Sequence, residues 1–173
     1  MTYQEPSNRT LFLDFDGVVH PTVATPKQLF GQAPMLVEAI VRWQPRVVIS
    51  SSWRFHFSLE EILSRLPQAI AVQVQGKTGE AHIGKHARWH EIQAYCSRHR
   101  IANWRALDDS AFAFPADCEE LIRCDGAVGL TSVEVMQLES WLAAPEDRAQ
   151  PSAIRELPSH TQSEGPLAGF LLK

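Results

Sequence analysis

The chain is poor in cysteine, with three in 173 residues: Cys96, Cys118 and Cys124. An odd number with no Cys-x-x-Cys spacing excludes a disulfide framework and a zinc-ribbon pattern, and leaves buried or half-buried reduced thiols as the expectation. Basic charge is not in excess either. The formal net charge of -4 removes the global positive field of a non-specific nucleic-acid binder, although a local basic patch stays open. No apolar run approaches the length of a membrane span. The opening Met1-Thr2-Tyr3-Gln4-Glu5-Pro6 has neither the basic start nor the apolar middle of a signal peptide, so a cytoplasmic location without a membrane partner is expected. Internal repeats and low-complexity tracts are absent. What the chain does have is 45% hydrophobic residues, enough at this length for one sizeable core.

Short β-rich runs alternate with helical patterns, the signature of a parallel sheet wrapped by helices, so the expected fold is α/β with a three-layer, Rossmann-like parallel sheet. The runs predict strands over residues 10–14, 46–50, 70–74, 104–107 and 121–124. Pro21, Pro26, Gly31 and Pro34 favour an irregular flap after the first strand, followed by a helix over 35–43. Leu59, Ile62, Leu63 and Leu66 mark a helix capped by Ser58 and stopped by Pro67. Further helices are predicted over 85–99 and over 132–142, the latter capped by Thr131 or Ser132. Residues 1–144 form the expected catalytic domain. Residues 145–173, with Pro145, Pro151, Pro158 and Pro166, read as a tail that is weakly ordered or draped on it, with Gly169-Phe170-Leu171-Leu172 able to anchor its end.

Chemistry concentrates at the ends of the apolar runs. Leu11-Phe12-Leu13 delivers Asp14 and Asp16, one residue apart, into Gly17. Period-two alternation would put both carboxylates on one side, and the glycine lets the backbone leave sharply. Crowded carboxylates want a hard cation, and Mg2+ suits them together with a substrate phosphate. Arg46-Val47-Val48-Ile49 ends in Ser50-Ser51-Ser52, Gly84-Lys85 opens an amphipathic stretch, and Trp104-Arg105-Ala106-Leu107 ends in Asp108-Asp109. Ligands of open α/β sheets sit outside the carboxyl ends of the strands, where these groups can converge.

This order of aspartate pair, hydroxyl, lysine and acidic pair resembles the haloacid dehalogenase (HAD) superfamily, over about residues 9 to 142. The resemblance implies a phosphatase that works through an aspartyl-phosphate, with Asp14 as nucleophile and Asp16 as general acid and base. It implies that the Asp16 backbone carbonyl joins Asp14 and the Asp108-Asp109 pair around Mg2+, with Asp109 preferred over Asp108 as the direct ligand. Ser50, with Ser51 as runner-up, matches the hydroxyl that steadies the phosphoryl group, and Ser52 would cap the turn after it. Lys85 corresponds to the cation on the phosphoryl oxygens, with Lys77 as a neighbour that weakens the assignment.

The intervals from Gly17 to Ile49 and from Ser51 to Gly84 are too short for the large caps this superfamily inserts there. The expected enzyme is therefore capless, and open sites of this kind resemble phosphatases of large substrates. Ser51-Ser52-Trp53-Arg54, Leu107-Asp108-Asp109 and Gly126-Ala127-Val128-Gly129 are similar to the HAD domains of Swiss Army Knife RNA-repair proteins. On that likeness Arg54 would hold a second phosphate and Trp53 would stack on a base, against the alternative that Trp53 packs in the core and Arg54 makes a structural ion pair. His20, in the flap, is a candidate substrate contact. His82, His86 and His90 share helical spacing, yet no zinc-protease glutamate joins them, and solvated or capping roles are expected. The expected substrate is a phosphorylated nucleic-acid end or another large phosphoester, with no obligate protein partner. The alternatives are a nucleotide-sized phosphatase, a phosphotransferase, or an idle scaffold that binds a phosphorylated partner.

Overall fold

The structure is a computed structural model and describes residues 8–145. The tail expected beyond Pro145, with its Gly169-Phe170-Leu171-Leu172 end, lies outside the described residues. Five strands run parallel in one sheet: β1 (Thr10–Leu13), β2 (Arg46–Ile49), β3 (Val74–Lys77), β4 (Trp104–Asp108) and β5 (Leu121–Arg123), in the order β3-β2-β1-β4-β5. The central strand β1 is buried throughout, as a strand covered on both faces must be.

Alternation along the strands builds two cores. Leu11, Leu13, Val47, Ile49 and Leu107 face one side, where they meet α1 (Val37–Trp43), α2 (Leu59–Leu63), α3 (Gln68–Ala71) and α5 (Ser132–Ala143). Phe12, Val48, Trp104 and Ala106 face the other, against Ile92 and Cys96 of α4 (Ala87–His99). The Phe12 ring meets Tyr95 and Trp104 edge-on, with centroids 5.8 and 5.7 Å away. The helices between β1 and β3 all pack into the sheet's own core, so no cap domain is inserted. Among the described residues no helix is long and apolar enough to cross a membrane.

Local signals behave as expected at most boundaries. Ser58 and Glu61 form a reciprocal capping box on α2, and Thr131 with Glu134 forms another on α5, so Thr131 is the cap there and not Ser132. Similarly, Ser51 rather than Ser52 caps the short 3-10 turn Ser52–Phe55. One expected strand is displaced. The apolar run over residues 70–74 predicts an extended segment, but Ile70 lies in α3 and β3 begins only at Val74. Ile70 is fully buried under the helical face, while β3 is an edge strand with alternating half-buried and exposed residues that carries little apolar signal.

Candidate active site

The carboxyl ends of β1, β2 and β4 meet at one point. Asp14, the residue after β1, is 6% exposed; its backbone N–H donates to the Leu107 carbonyl at 3.1 Å and its Oδ1 accepts from the Phe15 N–H at 2.8 Å. Asp108 ends β4 at 1% exposure, and its Oδ1 accepts from the Ser110 N–H at 2.9 Å. Asp109, half-buried, accepts from the Thr22 hydroxyl at 3.1 Å. Each of the three offers a carboxylate oxygen within 4.8 Å of the others. Two glycines make the room: a Cβ on Gly17 or on Gly126 would sit 2.3 Å from Asp109 Oδ2, and Gly17 also holds φ +73°.

Three acids this close and this buried need positive charge. Burial raises the Asp14 carboxyl above its ordinary value, opposed by Arg88, the Phe15 N–H and the Ser51 hydroxyl. Burial and then the nearby Asp14 push Asp108 up to about 8. Arg88 approaches Asp14 Oδ2 at 3.8 Å and Asp108 Oδ2 at 3.5 Å, yet Asp108 Oδ2 has no hydrogen-bond partner and neither does Arg88 Nη1. An all-oxygen donor set with an orphaned buried carboxylate oxygen fits a hard divalent cation. The Asp108 carboxyl is neutral in the folded protein at pH values where the unfolded chain has already released its proton, so stability of the metal-free protein falls as pH rises from about 4 to about 8. In excess chelator the melting temperature is therefore expected to drop between pH 5 and pH 8, and Mg2+ is expected to raise it more at pH 8, by about 5 °C or more. A melting temperature that is flat or rising across that interval in chelator refutes this reading of the carboxylates.

The other expected residues divide into those gathered at the site and those turned inward. Both serines are fully buried; the Ser51 hydroxyl favours the charged form of the Asp14 carboxyl, whereas the Ser50 hydroxyl has no hydrogen-bond partner. The cation that lies against Asp14 and Asp108 is Arg88. Lys85 is exposed and forms no ion pair with the aspartates, because α4 begins at Ala87 and not at Lys85. Arg88 shares the i, i+4 stripe of Ile92 and Cys96 that faces the sheet, one turn nearer its carboxyl edge. An arginine on the buried stripe at the start of a helix is a signal the sequence carried. Lys77 donates to the Arg54 carbonyl at 3.0 Å and does not reach the aspartates.

Arg54 is a correction to the expected second phosphate site. It is 4% exposed, and its guanidinium donates to the carbonyls of Gly79 (3.2 Å), Ser50 (2.6 Å) and Ser51 (2.9 Å) and to Glu91 Oε2 (2.6 Å). Every nitrogen is committed within the fold. Glu91, which sequence reasoning missed, also accepts from the His82 N–H at 3.0 Å and lies 3.9 Å from Arg88, so it ties the β2 turn, the loop after β3 and the site arginine together. Trp53 does not present its ring for stacking. Its indole N–H donates to Asp16 Oδ2 at 3.0 Å, and its ring packs among Phe15, Phe30 and Phe57. His20 is 1% exposed, and its Nε2 is turned to Asp16 Oδ1 at 3.1 Å.

Asp16 itself stands outside the group of three carboxylates, since β1 ends at Leu13 and period-two alternation no longer applies two residues into the turn. His82 and His90 stack with centroids 4.4 Å apart and, among the described residues, no third ligand joins them. The thiols are free, and burial pushes Cys96 and Cys124 up to about 12 and Cys118 up to about 11, so none is a nucleophile at neutral pH.

A parallel sheet in which the residue after the central strand is a buried aspartate, faced by an acidic pair at the end of the adjacent strand, a hydroxyl and a cation, is the arrangement of the HAD superfamily. Within it, the family described as the HAD domain in Swiss Army Knife RNA repair proteins matches residues 10–135, and the chain belongs to that family. Membership carries phosphatase-type hydrolase chemistry. No curated protein and no solved structure matches the chain.

Proposed function

We propose that the protein is a Mg2+-dependent phosphomonoester hydrolase that acts through an aspartyl-phosphate on Asp14. The observation that carries this reading is the convergence of Asp14, Asp108 and Asp109 with Ser51 and Arg88. The three carboxylates and the Asp16 backbone carbonyl would hold Mg2+, which would supply charge screening between the phosphoryl group and its attacker. Asp14 forms a bond from its carboxylate oxygen to phosphorus while the ester P–O bond breaks, and the departing oxygen takes its proton from Asp16. Asp16 then removes a proton from water as the water oxygen bonds to phosphorus, which releases phosphate and restores Asp14. In this reading the Ser51 hydroxyl and the unpartnered Arg88 Nη1 donate to the phosphoryl oxygens as charge builds.

Arg88→Ala is expected to lower kcat by about 10²- to 10³-fold, as for loss of a donor aimed at developing charge, whereas Lys85→Ala changes it by less than about threefold. Steady-state rates on para-nitrophenyl phosphate separate the two, and the reverse order returns the role to Lys85.

The substrate proposed is large, with a phosphorylated nucleic-acid end as the preferred class. Support comes from the site's rim. The loops that follow β1 to β5 each expose one apolar side chain, Val23 (91%), Phe55 (49%), Ile83 (94%), Phe112 (92%) and Val128 (48%), and no cap covers them. Exposed apolar groups on open loops are suited to a substrate that itself excludes water. Phe112, three residues beyond Asp109, takes over the stacking role expected of Trp53. A panel of 5′- and 3′-phosphorylated oligonucleotides, nucleotides and sugar phosphates tests this, with the highest kcat/KM expected on an oligonucleotide and a fall of about tenfold there for Phe112→Ala. Highest efficiency on a small sugar phosphate, unaffected by Phe112→Ala, leaves the hydrolase and removes the large substrate.

A further inference from the structure

Asp16 is held by two ring N–H groups, one from the buried His20 and one from the half-buried Trp53. His20 Nδ1 accepts from the Phe30 backbone N–H at 3.3 Å, which fixes the proton on Nε2, and that nitrogen lies 3.1 Å from Asp16 Oδ1. The Trp53 indole, a donor only, reaches Asp16 Oδ2 at 3.0 Å. Each carboxylate oxygen therefore has its own anchored donor.

Both donors are locked from behind. The Trp53 ring meets Phe15, Phe30 and Phe57 at centroid distances of 5.9, 5.2 and 5.0 Å, and the Arg65 guanidinium lies 5.6 Å over it. The His20 ring lies 5.4 Å from Phe30 and 5.9 Å from Trp53. Phe30 holds φ +59°, a left-handed conformation that is costly for a bulky L-residue and that tends to persist where function requires it. Asp16 is itself 40% exposed and water could satisfy its carboxylate, yet the buried His20 and the half-buried Trp53 both aim a donor at it.

We propose that His20 and Trp53 are positioning residues that orient Asp16 for proton transfer to the leaving oxygen. The proposal rests on the phosphatase reading above. In that step the ester P–O bond breaks as the Asp14–P bond forms, and the proton passes from the Asp16 carboxyl to the departing oxygen; His20 and Trp53 exchange no proton and only set the direction of the carboxyl group.

The experiment compares two esters on the full chain. An alkyl leaving group needs protonation, and a para-nitrophenolate leaving group needs little. Since kcat/KM reports events up to departure of the leaving group, Trp53→Phe, which keeps an aromatic ring and deletes the N–H, is expected to lower kcat/KM for n-butyl phosphate at least about tenfold more than for para-nitrophenyl phosphate. His20→Asn, whose amide oxygen can accept from Phe30 but which leaves Asp16 Oδ1 without a donor, is expected to behave the same way. His20→Gln, whose N–H reaches the Nε2 position, is expected to recover most of the loss. Thermal melts identify any variant that fails to fold, in which case the other position carries the test. Equal losses on both esters, or no loss on either, overturn the positioning role while leaving the phosphatase reading in place. Absence of Asp14-dependent hydrolysis in the parent protein overturns that reading, and this one with it.

Discussion

Asp14→Asn is expected to abolish turnover, by about 10⁴-fold or more, while the protein keeps its fold and loses none of its thermal stability at pH 8. The amide preserves the shape of the carboxylate and its oxygen still accepts from the Phe15 N–H, so the turn after β1 is retained. Burial penalises the charged form of Asp14, and an amide carries no such penalty. Loss of rate without loss of stability is the mark of a group that is strained by its task. Rates on para-nitrophenyl phosphate with a parallel melt make the comparison. Wild-type turnover in the variant would end the aspartyl-phosphate mechanism, whatever the substrate.

Asp16→Asn should produce a different deficit, about 10²- to 10⁴-fold in kcat, spread over both halves of the reaction. The amide cannot give a proton to the leaving oxygen or take one from water. It also meets two donors with only one acceptor oxygen: whichever way the group turns, its NH₂ faces either the His20 Nε2–H or the Trp53 indole N–H. Asp16 is 40% exposed, so rotation toward water relieves most of that conflict, and only a small change in melting temperature is expected. The same rate loss on alkyl and aryl esters, with no slowing of phosphoenzyme breakdown in rapid-quench experiments, would remove Asp16 from the proton path.

Arg88 and Arg54 show how far a linear reading reaches into a charged site. Both are arginines close to a recognisable segment, and a motif gives each the same licence to hold phosphate. They differ in their partners. Arg54 curls back to the carbonyls of Ser50 and Ser51, four and three residues before it, and reaches Glu91, which is distant in sequence; Arg88 meets two buried aspartates and keeps one nitrogen unpartnered. A guanidinium with all its donors satisfied inside the protein is a strut, and one with a spare donor beside acids can meet a ligand. The ion pair considered for Arg54 from the sequence is the arrangement present, with Glu91 as its partner.

Local patterns in the chain dictate the alternation of apolar runs and helical segments, hence the parallel sheet, and they set out the chemistry-bearing residues at the strand ends. These features rest on periodicity, on caps such as Ser58 and Thr131, and on the glycine after the aspartate pair, all of which act over a few residues. The family match over residues 10–135 spans those segments. Folding then sets which of these side chains meet: Arg88, and not Lys85, lies against Asp14 and Asp108, the Ser51 hydroxyl acts on Asp14, and Trp53 and His20 turn to Asp16. Two physical effects make that selection. Where a strand or helix ends, a shift of one or two residues redirects the side chain, as α4 beginning at Ala87 removes Lys85 from the site. Long side chains also bond across the fold, Trp53 to Asp16 and Arg54 to Glu91 at a separation of 37 residues each, and no local pattern contains such a partner.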